Sequence, residues 1–414
     1  MHTVGLVGDT VRNDSMEGVA DRLAHFPALD PEPPPRSLRF KLAVSAGLMA
    51  AAGLVAGVTV ALAGGSTTAG SRGPAAPTVS PPGRVVFVST AGVLGISDPD
   101  GTHVVPSPQL TTGSALQAVV SPDGRYAALS GGAVVAVNSG NLVIRHRLDL
   151  ARAMFVAGFA DGDRDAVVLD DGRFGGYPHA TSAATVLLDP LAGGPPTSLG
   201  VADAAVGDPQ RRGAFVTVAA PGPPPETSSS VLPLPADSRV ELRDAGAKPV
   251  VLATAASLAG ALSFDPKQPV SFALYPDGAG DKLAILVVPI EGRHPLGIAV
   301  VDRAGRLLGT QAAELGSPSW SPDGTSLAVP TAGATGAEVD VWNVQTGSFD
   351  TWQYVDSAQS PGRCVWSADG SWLLCPTFPD RTTGRGHWDL VLPASGAAAS
   401  VESPGLPLVW IGPP

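Results

Sequence analysis

A short phrase recurs along the 414-residue chain and limits its possible folds more than any other feature. In each copy, a β-prone run is followed by Ser-Pro-Asp-Gly or a relative, and then by a second β-prone run. The clearest copies span 119–129, 320–329 and 366–374, and weaker ones surround Asp161, Asp208 and Asp277. Proline and glycine favour the backbone angles of a tight turn, and aspartate bonds to its own backbone. Each copy therefore predicts a β-hairpin.

A second series of turns alternates with the first. Its members are Asp98–Gly101, Asn138–Gly140, Asp189–Gly193, Asp244–Gly246, Asp302–Gly305, Asn343–Gly347 and Ala394–Gly396. Two hairpins per unit give four strands, and repeating units of about 47 residues are typical of propeller blades. An eight-stranded sandwich or two smaller domains would leave the matched turn pairs unexplained.

The two ends of this region are expected to complete one blade together. Arg84–Val88 resembles a strand that follows an Asp-Gly turn, and Leu406–Ile411 resembles a strand that precedes one. Pairing of these segments would leave no exposed sheet edge at the junction. The predicted fold is therefore all-β, a seven-bladed β-propeller closed by its N- and C-terminal strands over residues 83–414.

The hairpin motifs Ser121–Gly124, Trp320–Gly324 and Trp366–Gly370 make this region similar to TolB-like and WD-repeat-like β-propellers. All seven tryptophans lie between residues 320 and 410, so the C-terminal blades match the pattern best. The resemblance is specific for the fold but poor for function, because propellers host many unrelated activities. TolB-like proteins are extracytoplasmic and bind partners, and the resemblance implies that role here.

A long apolar run precedes the propeller. Leu42–Ala63 has no charged residue and is long enough to cross a bilayer as a helix. Arg36, Arg39 and Lys41 precede it, which places the N-terminus in the cytoplasm by the positive-inside rule. A cleaved signal peptide is the alternative, but the run is longer than a signal's apolar core. The predicted layout is a cytoplasmic tail (1–40), a transmembrane helix (41–63), a Gly/Pro/Ser-rich linker (64–82) and an extracytoplasmic propeller (83–414).

The cytoplasmic tail contains one candidate docking element. Within residues 14–26, apolar side chains recur at helical spacing at Met16, Val19, Leu23 and Phe26. This pattern is compatible with an amphipathic helix that docks a cytoplasmic regulatory protein. The alternative is an unfolded tail, because an isolated helix this short is marginal in water.

The two cysteines lie on either side of one predicted turn. Cys364 and Cys375 are equally far from Asp369–Gly370, so a hairpin of that register places them opposite each other. Outside the cytoplasm such a pair usually oxidises, which predicts a disulfide. The alternative is a pair of buried free thiols.

No catalytic constellation is visible in the sequence. Nucleophile elbows, zinc-protease motifs and phosphate-binding loops are absent, and the seven histidines are scattered. Asp161, Asp163 and Asp165 have the initial spacing of a calcium loop, but Ala166 and Gly172 replace its required glycine and glutamate. They are interpreted first as a polar turn and second as a weak cation site. The sequence therefore predicts no enzyme, no metal and no cofactor.

Candidate ligand-binding residues lie in the longer connections. In a propeller the two turn series share one face, and the longer loops lie on the other. Those loops carry Arg173, Tyr177, His179, Arg293, His294, Arg381, Arg385 and Trp388. Arginine and aromatic residues are the usual hot-spot types at interfaces. The alternative is that they are solvated loop residues.

The net charge limits the classes of partner that the chain is expected to bind. The net charge of −11 disfavours nucleic acid and anionic membrane surfaces. The leading hypothesis is a membrane-tethered extracytoplasmic propeller, a sensor or scaffold that binds a protein or cell-envelope ligand. One alternative is a propeller hydrolase or lyase, which would require convergent acids or bases in the central funnel. The other is a transmembrane regulator whose tail docks a regulatory protein.

Overall fold

The computed structural model describes residues 81–412 with short gaps. The gaps are 90, 112–117, 122, 130–132, 138–141, 149–153, 171–183, 221–233, 268–269, 290–295, 314–316, 334–335, 354–361, 378–385 and 395–396. The predicted tail, the transmembrane helix and nearly all of the linker lie outside the described residues. Within the described residues, no helix is long and apolar enough to cross a membrane.

Seven four-stranded antiparallel sheets form the blades of the propeller. Blade 1 consists of β4 (Ala118–Val120), β5 (Tyr126–Leu129), β6 (Ala133–Val137) and β7 (Leu142–Arg147). Blade 2 consists of β8 (Met154–Ala160), β9 (Asp165–Asp170), β10 (Ala184–Pro190) and β11 (Thr197–Ala202). Blade 3 consists of β12 (Ala204–Gly207), β13 (Gly213–Val218), β14 (Arg239–Asp244) and β15 (Val250–Thr254).

The next three blades repeat this order. Blade 4 consists of β16 (Val270–Pro276), β17 (Lys282–Pro289), β18 (Leu296–Asp302) and β19 (Leu307–Ala313). Blade 5 consists of β20 (Ser319–Trp320), β21 (Ser326–Gly333), β22 (Gly336–Asn343) and β23 (Phe349–Gln353). Blade 6 consists of β24 (Val365–Trp366), β25 (Leu373–Pro376), β26 (His387–Leu392) and β27 (Ala397–Glu402).

Blade 7 joins the two ends of the propeller. Its strands are β28 (Leu406–Ile411), β1 (Arg84–Val88), β2 (Val93–Ser97) and β3 (Val105–Thr111), in that order across the sheet. In the antiparallel register, Val85 lies opposite Trp410. The Trp410 indole also donates a hydrogen bond to the Pro82 carbonyl at 2.8 Å. The predicted closure by the N- and C-terminal strands is therefore confirmed.

The seven innermost strands contact one another in a closed ring. These strands are β4, β8, β12, β16, β20, β24 and β28. Indole groups bridge some of these contacts: Trp320 donates to the Tyr275 carbonyl at 2.8 Å, and Trp366 donates to the Ser319 carbonyl at 3.1 Å. The ring surrounds a central channel, as in other propellers.

The core consists of apolar layers between neighbouring blades, and β1 shows why. Successive side chains of a strand point to opposite faces of its sheet. Val86 and Val88 pack with residues of blade 1, such as Leu129, whereas Val85 and Phe87 pack with residues of blade 6. Burying one such side chain contributes about 1.5–3 kcal/mol. Each blade is therefore held mainly by its two neighbours.

The Ser-Pro-Asp-Gly turns have the geometry that the sequence predicts. In blade 5, the Gly324 amide donates to the Ser321 carbonyl at 2.9 Å, with Gly324 at φ +65°. Asp323 accepts from the Thr325 amide at 3.0 Å, and the Ser321 hydroxyl donates to Asp323 at 2.6 Å. The Ser326 amide donates to the Ser321 oxygen at 3.0 Å. The serine therefore links both sides of the turn.

Two of the weaker copies differ from this pattern. The recurring sequence pattern equates Asp277 with the aspartate of Ser-Pro-Asp-Gly. In the structure, however, the Asp277 amide donates to the Lys282 carbonyl, as Ser321 does to Ser326, and the Lys282 amide donates to the Asp277 carboxylate at 3.1 Å. Asp208 forms the corresponding backbone bond to Gly213. In both turns the aspartate takes the serine position, which is buried.

The predicted disulfide is present. Cys364 and Cys375 are bonded, with Cα atoms 4.2 Å apart, and both are fully buried. The neighbouring pairs Val365–Leu374 and Trp366–Leu373 have the predicted register about the Asp369–Gly370 turn. The disulfide therefore joins the residue before β24 to β25, the second strand of blade 6.

One short helix, α1 (Ala255–Ala261), connects blades 3 and 4 and was not predicted. Thr254 caps its first turn, and the Thr254 and Ser257 side chains each accept from the other's backbone amide. Leu258 is buried in the layer between these blades. The reciprocal caps satisfy amides that the helix leaves free.

Candidate functional site

On the turn-bearing face, charged side chains pair across blade boundaries. Arg212 of blade 3 contacts Asp165 of blade 2 at 3.0 Å. Lys282 of blade 4 donates to the Gly324 carbonyl of blade 5 at 2.8 Å. Because these groups bond to each other, they are not available for recognition of a ligand.

The most buried of these pairs joins blades 3 and 4. Arg303 donates to both carboxylate oxygens of Asp208, at 2.9 and 2.6 Å, and to the Gly280 carbonyl at 2.8 Å. Asp208 is 0% exposed, and Arg303 also lies over the Phe215 ring. The hydrogen bonds to Asp208 raise the pKa of Arg303 above its usual range. Bidentate contacts of this kind are among the strongest in proteins.

A carboxylate pair joins the turns of blades 1 and 2. The Asp163 side chain is buried beside Asp123, with Arg125 3.6 Å away. Burial, followed by the hydrogen bond with Asp123, raises the pKa of Asp163 to about 7. Burial acts to raise the pKa of Asp123 too, but hydrogen bonds from Asp163, the Arg125 amide and Ser121 lower it overall. The folded state therefore favours a proton on Asp163 beside an ionised Asp123.

We expect this proton to make stability depend on pH. The folded pKa of Asp163 lies above its unfolded value, so the native state holds a proton that the unfolded state releases between about pH 4 and 7. Stability should fall as pH rises through that window and then level off. One proton gives a slope of at most about 1.4 kcal/mol per pH unit. Asp163→Asn keeps the donor without the charge and should flatten this slope.

Urea unfolding of residues 81–414 at pH 5, 6, 7 and 8 measures this slope. Asp161→Asn is the matched control, because Asp161 lies in the same turn and contacts the exposed Arg164 at 3.7 Å. The control should retain the wild-type slope. Equal slopes for wild type and Asp163→Asn would show that the shared proton is absent.

The three aspartates considered as a weak cation site have separate partners. Asp161 contacts Arg164, Asp163 contacts Asp123, and Asp165 contacts Arg212. Across the described ranges, no group of three or more metal-binding side chains is close enough to hold an ion. Asp161 and Asp163 have φ values of +53° and +67°, as residues of a tight turn do.

The loop-bearing face lies opposite the turns. Connections between the second and third strands of a blade leave the end of the sheet away from both turn series. In blades 2, 4 and 6 these connections contain 171–183, 290–295 and 378–385. The predicted ligand residues Arg173, Tyr177, His179, Arg293, His294, Arg381 and Arg385 fall in them, outside the described residues.

Trp388 is the exception among the predicted ligand residues, and its place in the structure corrects that prediction. It lies in β26, is 0% exposed, and packs edge-on against Phe87 of blade 7. Its indole donates to the Gly405 carbonyl at 2.8 Å. Its apolar ring is therefore buried within the protein, and its polar N–H has a hydrogen-bond acceptor there. Trp388 is a core residue between blades 6 and 7.

The wall of the central channel has one feature that sequence analysis missed. None of the seven innermost strands contains a charged residue. Arg363, two residues before β24, is exposed, and its guanidinium carbon lies 5.7 Å from the centre of the Tyr275 ring. The Tyr275 hydroxyl donates to Ser317 Oγ at 2.9 Å. The local sequence gives no signal for this group, because its members come from three blades.

These observations define the class of protein as a closed seven-bladed β-propeller. No known protein family and no curated protein matches the sequence. Similar solved structures include a prolyl endopeptidase, with 12% identity and a TM-score of 0.50, covering 78% of this chain and 48% of that one. The chain thus spans about half of that endopeptidase.

Two further solved structures have lower TM-scores. TolB from Acinetobacter baumannii has 11% identity and a TM-score of 0.40, covering 80% of this chain and 82% of its own. Dihydro-heme d1 dehydrogenase NirN has 16% identity and a TM-score of 0.44, covering 81% and 76%. At such identities the likeness shows the fold alone.

Proposed function

We propose that this protein is a non-catalytic binding module, a membrane-tethered extracytoplasmic propeller that acts as a sensor or scaffold. It holds a protein or cell-envelope ligand on the loop-bearing face. The observation that carries this proposal is the asymmetry between the two faces. Charged groups on the turn-bearing face, such as Asp208 and Arg303, pair with each other across blades. The opposite face collects connections rich in arginine and aromatic residues, the types that dominate interfaces.

Two features of the chain support the proposed location. The apolar run Leu42–Ala63 and the basic residues before it favour a membrane anchor with the propeller outside. The Cys364–Cys375 disulfide is of a kind that persists in oxidising compartments. Cytosolic proteins seldom retain such bonds.

Substitutions on the two faces provide the test of binding. The full chain is cross-linked in its native membrane, and partners are compared between variants by mass spectrometry. A loop-face variant carries Arg173→Ala, Arg381→Ala and Arg385→Ala. The control carries Arg164→Ala and Arg306→Ala on the turn-bearing face, where both side chains are well exposed. We expect partners that wild type and control share to be lost from the loop-face variant. Retention of every partner by that variant would contradict the proposal.

Thiol labelling tests the membrane topology. Single cysteines introduced within 64–82 should react with a membrane-impermeant reagent on intact cells, whereas cysteines within 1–35 should react only after permeabilisation. The native pair is oxidised in the structure and supplies no competing thiol. A soluble fragment that begins near Gly64 would instead demonstrate signal cleavage.

A further inference from the structure

Arg363 contacts a residue of a blade that is not adjacent to its own. It belongs to blade 6, whereas the Tyr275 ring beneath its guanidinium belongs to blade 4, and Ser317 belongs to blade 5. Tyr275 lies in the innermost strand of blade 4, and Arg363 lies just before the innermost strand of blade 6, so their contact lies at the ring of innermost strands. The three side chains therefore converge at one point of the channel.

The charge of Arg363 is not compensated within the described part of the chain. No carboxylate, carbonyl or hydroxyl there accepts a hydrogen bond from its guanidinium, in contrast to Arg212 and Arg303. The side chain is exposed to solvent, yet neighbouring protein groups partly desolvate the guanidinium. This desolvation lowers the pKa of Arg363 from its usual range. A desolvated charge without a partner is unfavourable, and an anion would relieve it.

We propose that the channel at Arg363, Tyr275 and Ser317 binds a ligand through a single carboxylate group. The planar guanidinium matches the two oxygens of a carboxylate. The guanidinium lies over the Tyr275 ring, 5.7 Å from its centre, and no group in the described part of the chain accepts from its N–H donors. The Ser317 oxygen already accepts from Tyr275, so its own proton is available for the ligand.

The uncharged channel wall favours one negative charge over two. One guanidinium balances one carboxylate, and the innermost strands supply no second cation. A dianion such as inorganic phosphate would leave one charge uncompensated in a poorly solvated site. The site should therefore prefer a monocarboxylate to phosphate.

The disulfide holds this site in place. Cys364 directly follows Arg363, is fully buried, and is bonded to Cys375 of the next strand. The backbone that carries the guanidinium is therefore fixed before a ligand arrives, which reduces the entropy lost on binding. None of the site's three residues lies in the connections 171–183, 290–295 and 378–385, so the site stands whether or not those connections bind a partner.

Thermal unfolding of the full chain with acetate as probe tests the site. A ligand that binds only the folded state raises the unfolding temperature as its concentration increases. Sodium acetate should raise it more than sodium chloride or sodium phosphate at equal ionic strength. Arg363→Gln should weaken the apparent acetate affinity at least tenfold. Arg306→Gln, which changes an exposed arginine on the turn-bearing face, should leave the affinity unchanged.

Two further measurements complete the test. In chloride alone, Arg363→Gln should be at least as stable as wild type, because it removes an uncompensated charge. If that variant does not fold, Arg363→Lys keeps the charge, loses the fork geometry, and should still weaken acetate binding. An acetate response that persists in the variants, or that chloride reproduces, would overturn the site. An equal response to phosphate would overturn the carboxylate assignment.

Discussion

Replacement of Asp208 by alanine is expected to lower the free energy of unfolding of the propeller by about 3–5 kcal/mol. Asp208 is fully buried and accepts both hydrogen bonds from Arg303. Removing it leaves a largely buried guanidinium without its counter-ion and breaks an ion pair that joins blades 3 and 4. The same carboxylate accepts from the Gln210 amide at 3.0 Å within its own turn. The loss therefore combines an unpaired charge with a weakened turn.

Urea unfolding of residues 81–414 measures this effect. Arg306→Ala is the matched control, because that side chain is 77% exposed and its pair with Asp302 should contribute no more than about 1 kcal/mol. The double variant Asp208→Ala with Arg303→Met should lose less than the sum of the single variants, since it leaves no stranded charge. A loss below 1 kcal/mol for Asp208→Ala would show that the pair does not hold the blades together.

Deletion of residues 404–414 is expected to abolish cooperative unfolding. The deletion removes β28, the innermost strand of blade 7, which contacts blades 6 and 1 and pairs with β1. Trp410 alone is 97% buried, and the loss of a buried tryptophan side chain typically removes about 3–5 kcal/mol. The loss of a whole strand thus approaches the total stability of an ordinary domain, about 5–15 kcal/mol. The exposed edge of β1 should also promote aggregation.

Heat unfolding followed by circular dichroism and by tryptophan fluorescence tests this expectation. The two signals should coincide for 81–414, as in a two-state transition, and should separate for 81–403. Removal of 413–414 alone is the control and should leave the transition unchanged, because those residues follow β28. A coincident transition at the wild-type temperature for 81–403 would show that closure of the ring is not required.

The local chemistry of the turns made much of the fold predictable. Ser121, Ser321 and Ser367 form the same hydrogen bonds, so a four-residue pattern correctly located three hairpins. The spacing of the two cysteines about one of these turns gave the register and the disulfide. In each case the interacting groups lie within a few residues of one another. Turn propensity and strand alternation act at this range.

Contacts between blades were not predictable in the same way. Asp208 and Arg303 are 95 residues apart, and no local pattern links them. Trp388 adjoins a loop in the sequence, but both faces of β26 are covered, so its ring is buried. The sequence around Arg363 does not indicate its contact with Tyr275, because that contact depends on the arrangement of the blades in the closed ring. These features depend on the arrangement of whole blades, which a single sequence does not encode locally.

The register of blade 7 determines how the ring responds to mechanical load. Arg84 lies opposite Ile411, so the chain enters and leaves the propeller side by side at one end of the β1–β28 pair. Tension applied through residues 83 and 412 would peel the two strands apart, breaking their hydrogen bonds one after another. Shear along the strands would load all the bonds at once and meet greater resistance. The β1–β28 pair, on which the stability of the closed ring depends, is therefore also the place where tension on residues 83 and 412 would first separate two strands.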